Sequence, residues 1–313
     1  MTHSPTVTAA QEWLMRHKVD TGASWQVLAE RSGIAQGTLS QFGPGSYKGD
    51  MEEVARKVAR FRSTVEAQAE LALDMPEAPR FVLTRTAAHI KRLLTWGHRG
   101  KLIVIAGGPG IGKTTVCRDY AANASNVWVA TMSESTAGLN PMQIELLAAM
   151  GEPDAKGAPH QLSRRICEKA RGAGALIILD EAQKLTEKAV EEARSWHDRT
   201  GVGLALVGND TVLSRLEGGS RKANYAQLYS RVDMRMIRAV PSAEDVEQIA
   251  AAWGVGDERE VAYLVALGTK PGGLRSVTKV MELASMLAFD DGARDLTHIR
   301  AAWAQLSTRP VAA

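Results

Sequence analysis

The sequence is poor in the features that mark secreted, membrane and disulfide-stabilised proteins. Its 313 residues include two cysteines, Cys117 and Cys167, which lie far apart in stretches with a helical pattern. This usage argues against a disulfide scaffold and fits a reducing cytoplasm. Apolar runs fall short of the roughly 18 residues that span a membrane, and the first residues lack a signal-peptide core. We therefore expect a soluble, cytoplasmic chain with no membrane partner.

The sequence also has little net charge and no metal-binding pattern among its histidines. The seven histidines show no ligand spacing such as H-x-x-x-H. The net charge of +3 is unevenly distributed, because residues 81–240 hold 22 Lys and Arg against 15 Asp and Glu. Residues 1–80 and 241–313 are net acidic, at −1 and −3. A polyanionic ligand is therefore expected on residues 81–240.

A phosphate-binding loop occupies residues 107–114, which read GGPGIGKT and complete the pattern G-x-x-x-x-G-K-[ST]. The apolar run 102–106 before the loop predicts a buried strand, and the residues after it are compatible with a helix. Backbone N–H groups of such a loop surround phosphates at the positive end of the helix. Lys113 is expected at the β- and γ-phosphates of ATP, and the Thr114 hydroxyl is expected to ligate Mg²⁺. The predicted nucleotide-binding residues are Gly107, Gly108, Pro109, Gly110, Ile111, Gly112, Lys113, Thr114 and Thr115.

Two further strand ends carry candidate catalytic groups. LIILDEAQ at 176–183 predicts a buried strand that ends at Asp180, whose carboxylate is expected to hold Mg²⁺ together with Thr114. Glu181 is the candidate base that polarises the attacking water. Asn209 follows another predicted strand, and its amide is a candidate for orienting that water. An ordinary strand end and a turn asparagine are the alternative interpretations of these positions.

Two arginines complete the predicted site. Arg275, in KPGGLRSV, opens a predicted helix and is the candidate that reports the nucleotide state to the C-terminal region. Arg231, in LYSRVDMR, is the candidate arginine finger that acts across a subunit boundary. Arg215, Arg221 and Arg235 compete for the finger role. A surface arginine without a role in catalysis is the alternative interpretation of both candidates.

The pattern of helices and strands predicts an α/β fold between two all-helical domains. Beyond the strand at 102–106, short apolar runs occur at 126–130, 175–179 and 203–207 and alternate with helical patterns, as in parallel sheets. After Pro241 the pattern predicts helices alone, at 243–253, 258–267, 274–289 and 296–306. We therefore expect three domains, at residues 1–74, 75–240 and 241–313.

The N-terminal domain contains a candidate helix-turn-helix in SWQVLAERSGIAQGTLSQF. Its first helix is predicted at 25–31, its turn at Ser32 and Gly33, and its second helix at 35–42. The exposed positions of the second helix are polar but uncharged, so we expect weak, poorly discriminating DNA contact or a protein-binding role. A plain helical hairpin is the alternative interpretation. Residues 51–73 predict one long amphipathic helix.

The order of these motifs resembles the AAA+ ATPases over roughly residues 81–313. A narrower resemblance, to the Mu B family of phage transposition proteins, is carried by SGIAQGTLSQF, YKGD, APRFV, NVWV, LDEAQKL, VGN, LYSRV and KPGGLR. It implies a P-loop AAA+ sheet preceded by a helix-turn-helix domain and followed by a helical lid. It also implies a protein of the bacterial host cytoplasm that assembles with ATP, as a filament or ring, on double-stranded target DNA. Such a protein selects the target with little sequence specificity and activates a partner transposase, and ATP hydrolysis releases it.

The charge distribution bears on where DNA would bind. Because residues 241–313 are net acidic, the candidate DNA contacts are basic residues elsewhere: Lys156, Arg164, Arg165, Arg221 and Lys222. A solvated surface is the alternative interpretation of these residues. A helicase loader or replication initiator shares the ATPase module and is an alternative function. A DNA-binding regulator that is switched by its NTPase is another.

Overall fold

The fold is that of a computed structural model, which describes residues 4–74, 78–79, 81–212, 232–289 and 292–307. The chain forms two compact units, residues 1–76 and 77–313. None of the helices within the described ranges is long and apolar enough to cross a membrane.

The first unit is helical. Its elements are α1 (Pro5–Thr21), α2 (Trp25–Ser32), α3 (Gln36–Phe42) and α4 (Met51–Asp74). The core where they meet includes Leu14, Leu28, Leu39, Phe42 and Val58. α2 ends at Gly33, whose φ of +69° lies in the left-handed region that glycine adopts without strain. The two short helices lie where the sequence predicts them, while their assignment to DNA binding stays a prediction.

The second unit begins with α5 (Arg85–Gly97) and then alternates between strands and helices. In order these are β1 (Leu102–Gly107), α6 (Lys113–Asn123), β2 (Val127–Thr131), α7 (Leu139–Ala149), α8 (Pro159–Ala170), β3 (Leu176–Asp180), a 3-10 helix (Ala182–Lys184), α9 (Glu187–Thr200), β4 (Gly203–Gly208) and β5 (Met234–Arg238). The five described strands are parallel, in the order β2-β3-β4-β1-β5.

Alternate side chains of the central strands enter two hydrophobic cores, one on each face of the sheet. Val104, Leu179 and Leu206 belong to the core that includes α7, α8 and α9. Their neighbours Ile105 and Val207 belong to the core that includes α5 and α6. Strands buried on both faces read as continuous apolar runs, which is why β1, β3 and β4 are recognisable in the sequence. This double burial fixes the positions of their carboxyl ends, where the predicted motifs begin.

Within the described residues, four helices follow the sheet, and we call them the lid. They are α10 (Ala243–Ala252), α11 (Glu258–Gly268), α12 (Gly273–Leu287) and α13 (Leu296–Leu306). The lid has a hydrophobic core of its own, which includes Val246, Leu264, Val277, Met281 and Ile299. The boundary between sheet and lid near residue 240 stays a prediction, because residues 77–313 form one compact unit.

The predicted α/β fold with a parallel P-loop sheet flanked by helices is confirmed. β5, whose residues read MRMIR, was not predicted from the sequence. Among the described strands β5 pairs with β1 alone, so it lies at the edge of the sheet and only Met236 in it is buried. Such an edge strand carries charge and lacks the apolar run of a central strand.

Candidate nucleotide-binding site

The carboxyl ends of three neighbouring strands bring the predicted motifs to one edge of the sheet. β1 leads into the phosphate loop, β3 ends at Asp180, and Asn209 follows β4. β4 lies between β1 and β3 in the sheet. Parallel α/β sheets bind their ligands outside this edge, so the topology places the three motifs at the expected position of a site.

The phosphate loop presents a helix N-terminus and a fixed ammonium group. α6 begins after Gly112, whose φ is +90°, and no side chain of the described residues caps this helix. Its first N–H groups are therefore available to an anion. Lys113 is 8% exposed, and its ammonium donates to the carbonyl oxygens of Gly107 (2.7 Å) and Gly108 (2.9 Å). Burial lowers the pKa of Lys113, while the carboxylates at the end of β3 act in the opposite direction.

Thr114 and Asp180 form an oxygen pair beside the loop. The Thr114 hydroxyl donates to Oδ2 of Asp180 at 2.7 Å, and the backbone N–H of Glu181 donates to Oδ1 at 3.0 Å. Asp180 is fully buried, and an ionised carboxylate accepts both hydrogen bonds. Hydroxyl and carboxylate oxygens are ligands that Mg²⁺ prefers, so this pair fits the predicted magnesium site.

Glu181 lies next to Asp180 in a strained backbone conformation. Its φ of +57° lies in the left-handed region, which residues other than glycine rarely adopt. Such residues cluster at functional sites, because the surrounding structure has to hold them there. The Glu181 carboxylate accepts a 2.7 Å hydrogen bond from Nε2 of Gln183. Glu181 also lines the cavity described below.

The side chain of Asn209 forms hydrogen bonds within a local turn. Its side-chain oxygen accepts hydrogen bonds from the backbone N–H of Thr211 at 3.1 Å and from the Thr211 hydroxyl. Its own backbone N–H donates to Oε1 of Gln183 at 3.3 Å. Asn209 is not among the described residues that line the cavity. The role of its amide toward the attacking water stays a prediction.

The phosphate loop contacts the lid backbone to backbone. The N–H of Leu274, in the first turn of α12, donates to the carbonyl oxygen of Gly110 at 2.9 Å. A Cβ atom at Gly110 would overlap the carbonyl oxygen of Gly272, and one at Gly273 would lie 2.8 Å from the Gly110 oxygen. The approach therefore requires glycine on both sides. It explains Gly273 of the KPGGLR sequence as a packing partner of the loop, whereas Gly272 is favoured by its φ of +106°.

A cavity of about 690 Å³ lies between the phosphate loop and the lid. Its lining includes the loop, Glu181 and polar side chains of α12 such as Arg275. It also includes the apolar side chains Phe81, Val82, Ala87, Ile249, Trp253 and Leu274. The volume is typical of small-molecule sites. This lining offers polar groups to a triphosphate and apolar surface to a base.

The lid is attached to the N-terminus of α5, next to the cavity. The N–H of Arg85 donates to Oε1 of Gln248 at 2.9 Å, and the N–H of Thr86 donates to Oδ1 of Asp245 at 2.7 Å. The Thr86 and Ser242 hydroxyls donate to Oδ2 of Asp245 at 2.6 and 2.8 Å. Burial raises the pKa of Asp245, but the hydrogen bonds from Thr86 and Ser242 together outweigh it, so the pKa lies below its usual value. Side chains of α10 thus pair the first N–H groups of α5.

Some of the predicted arginines lie within the described residues and others do not. Arg275 is exposed and lies in the wall of the cavity. Arg231 and its competitors Arg215 and Arg221 lie outside the described residues. Arg235 lies on β5. The assignment of the arginine finger therefore stays a prediction.

The candidate DNA contacts differ in their surroundings. Lys156 and Arg164 are exposed, whereas Arg165 forms an ion pair with Glu152. Arg221 and Lys222 lie outside the described residues. A charge that is already paired contributes less to a polyanion, so Lys156 and Arg164 are the stronger candidates on the described surface.

Several residues of the site were not predicted from the sequence. Gln183 follows Asp180 and Glu181 by a spacing that allows a hydrogen bond back to Glu181, and this spacing was the available signal. Phe81 and Trp253 line the cavity, but nothing in the sequence distinguishes them from core aromatics. Asp245 opens a predicted helix, where an acidic residue is ordinary.

Comparison with known families assigns the two parts of the second unit. Residues 97–216 match the AAA domain family, and residues 230–306 match the family described as "Mu B transposition protein, C terminal". The chain is also 35% identical over 272 residues to the ATP-dependent target DNA activator B of Escherichia phage Mu. The aligned region covers 87% of this chain and 86% of the relative. The chain belongs to the Mu B transposition protein family.

Two further comparisons extend this result. The Mu B-family chain is 34% identical over 269 residues to the Mu-like prophage FluMu DNA transposition protein B of Haemophilus influenzae, covering 85% of this chain and 93% of that one. It is similar in fold to a Walker-type ATPase of Pyrococcus abyssi, with a TM-score of 0.51 and 14% identity over 70% of this chain and 72% of that chain. With its AAA domain and complete phosphate loop, the Mu B-family chain is an ATPase.

Proposed function

We propose that this Mu B-family ATPase binds double-stranded DNA while it holds ATP, selects a transposition target with little sequence specificity and activates a partner transposase. ATP hydrolysis then releases it from DNA. The observation that carries the proposal is the 35% identity over 87% of the chain to a protein named ATP-dependent target DNA activator B. The geometry of the nucleotide site supports it, because the loop, Glu181 and the lid line one cavity.

Each group at the phosphates has a proposed role. Lys113 and the first N–H groups of α6 bind the phosphate oxygens. Thr114 and Asp180 are the proposed ligands of Mg²⁺, which when bound neutralises charge on the phosphates. Glu181 accepts a proton from the attacking water, as the bond between the γ-phosphorus and the β–γ bridging oxygen breaks.

Three further proposed roles lie beyond these groups. Arg275 contacts the γ-phosphate and reports its presence to the lid, since it stands one residue after the Leu274 contact with the loop. Asn209 orients the attacking water. Arg231 of a neighbouring subunit acts as the arginine finger, which would make the site depend on assembly.

We expect DNA binding to depend on the nucleotide because it depends on assembly of several subunits. Non-specific contacts typically give dissociation constants of about 10⁻⁴–10⁻⁶ M at physiological salt. The excess of 22 basic over 15 acidic residues at 81–240 is modest, so one subunit holds DNA weakly. Subunits that join in a filament or ring add their contacts. ATP between neighbours would then control whether the protein stays on DNA.

The proposal is tested by measuring DNA binding of the full chain with ATP, with ADP and without nucleotide. We expect tight DNA binding with ATP but not with ADP or without nucleotide. In Lys113→Ala, this difference between nucleotide states should be lost. Lys188→Ala is the control, since Lys188 is an exposed lysine of α9 outside the described lining of the cavity. Equal DNA binding in all three nucleotide states would refute the switch.

The proposed DNA surface has its own test. A double variant, Lys156→Ala with Arg164→Ala, should weaken binding to all DNA sequences. It should also reduce the slope of the logarithm of the binding constant against the logarithm of salt concentration by about one per lost phosphate contact. Arg259→Ala is the matched control, because Arg259 is an exposed cation on the net acidic lid. An equal effect of the control would argue against this surface.

A further inference from the structure

The side chain of Gln183 joins two strand ends at the nucleotide site. Its Nε2 donates to Oε2 of Glu181 at 2.7 Å, and its Oε1 accepts the backbone N–H of Asn209 at 3.3 Å. Glu181 follows β3 and lines the cavity, whereas Asn209 follows β4. One amide group therefore connects the candidate base to the backbone of the neighbouring strand.

Chemistry allows this amide to lie in one orientation only. A carboxylate accepts hydrogen bonds and a backbone N–H donates them, so Gln183 must turn its nitrogen to Glu181 and its oxygen to Asn209. A rotation of the amide by 180° would place acceptor against acceptor and donor against donor. The two partners thus fix the direction of the bridge.

The surroundings of Gln183 leave room for the bridge. A Cβ atom at Gly208, the last residue of β4, would overlap Oε1 of Gln183, so glycine is needed for the amide to lie there. On the other side, Gln183 lies in the 3-10 helix that begins directly after Glu181. The N–H of Lys184 donates to the Glu181 carbonyl oxygen at 3.0 Å. This turn brings the amide of Gln183 back to the carboxylate of Glu181.

We propose that Gln183 is a positioning residue for ATP hydrolysis. It holds one carboxylate oxygen of Glu181, so that the other oxygen is directed to the attacking water. It also ties that position to the end of β4, so that a displacement of Asn209 changes the alignment of the base. The inference rests on the proposed role of Glu181 as the base that receives the proton of the water.

The expected effect falls on the chemical step. Misplacing a catalytic group by about 1 Å can cost on the order of 100-fold in rate. Because Gln183 bonds to Glu181 and is not among the described residues that line the cavity, we expect ATP affinity to depend on other groups. We expect Gln183→Ala to lower kcat by roughly 10- to 100-fold, with KM and the dissociation constant for ATP within about twofold of the wild type.

The test measures ATP hydrolysis and ATP binding of the full chain for the wild type and four variants. Gln183→Ala removes the bridge, and Gln183→Glu keeps its size but cannot donate to Glu181 when ionised. Glu181→Gln removes the base. Gln161→Ala is the matched control, because the Gln161 side chain accepts a backbone N–H at the start of α8, outside the described lining of the cavity. Melting curves identify any variant that fails to fold.

The outcomes separate this inference from the proposed function. Low kcat with unchanged ATP affinity in both Gln183 variants, and ordinary kcat in Gln161→Ala, is the expected result. Wild-type or higher kcat in the folded Gln183 variants, with Glu181→Gln inactive, would overturn the positioning role alone. An equal loss of ATP affinity and kcat would overturn it too. Wild-type hydrolysis by Glu181→Gln would instead contradict the proposed base.

Discussion

Replacing Asp245 by alanine should detach the lid from the body of the ATPase. The Asp245 side chain is fully buried, and its two oxygens accept hydrogen bonds from the N–H and hydroxyl of Thr86 and from the N–H and hydroxyl of Ser242. Alanine leaves these four donors without their acceptor. Since Thr84 and Ala87, beside this contact, line the cavity, the change reaches the nucleotide site as well.

The magnitude follows from the type of hydrogen bond that is lost. Bonds to a charged acceptor contribute about 1.5–3 kcal/mol each, but donors that share one carboxylate are not additive. We expect Asp245→Ala to lower the free energy of unfolding by about 3–5 kcal/mol. For a unit of this size that corresponds to a fall in Tm of roughly 6–20 °C. ATP affinity should fall with it, because the lid no longer closes one side of the cavity.

Glu244→Ala is the matched control for this prediction. Glu244 is the adjacent residue, but it is exposed and pairs with the exposed Arg85, so its loss should change stability by no more than about 1 kcal/mol. The assay is calorimetric or denaturant unfolding of both variants, followed by an ATP titration. If Asp245→Ala and Glu244→Ala unfold alike, the account of the lid attachment is refuted.

The lowered pKa of Asp245 also fixes the sign of a pH dependence. Its ionised form is stabilised in the folded chain, so the contribution is complete above its unfolded pKa of about 3.9 and is lost as pH falls through the lower folded value. The stability difference between the wild type and Asp245→Asn should therefore shrink on acidification below about pH 4. A difference that grows on acidification would contradict this sign.

Two further predictions concern the cavity. Gly110→Ala should weaken ATP binding and lid closure far more than Gly254→Ala, because both glycines have positive φ but only a Cβ at Gly110 collides with the lid; ATP titration and melting curves of the two variants check this. Phe81→Ala should lower ATP affinity about tenfold while leaving tripolyphosphate binding unchanged, and its exposed neighbour Leu83→Ala should change neither, as measured by isothermal titration.

The central part of the fold could be predicted from the sequence because its signals are local. β1, β3 and β4 are buried on both faces and therefore read as apolar runs, and the phosphate loop follows β1 directly. β5 gave no such signal. It lies at the edge of the sheet, where an exposed face accepts arginine and methionine, and its position is set by pairing with β1 rather than by its own residues.

The residues of the site also differ in whether their signal is local in the sequence. Gly110 and Lys113 belong to a contiguous motif whose chemistry is fixed by residue type and spacing. Gln183, Phe81 and Asp245 act through partners that are distant in sequence or on another element, such as Asn209 or Thr86. Nothing in the sequence states which strand end or helix N-terminus they meet. Only the sheet order and the attachment of the lid bring these partners together.

Electron microscopy of the full chain with double-stranded DNA tests whether ATP controls assembly of this chain on DNA. With ATP, we expect continuous protein-coated DNA, in the form of a filament or stacked rings. With ADP, or for Lys113→Ala with ATP, we expect bare DNA and dispersed protein. Dispersed monomers in the presence of ATP, or coated DNA that persists unchanged with ADP, would refute nucleotide-controlled assembly.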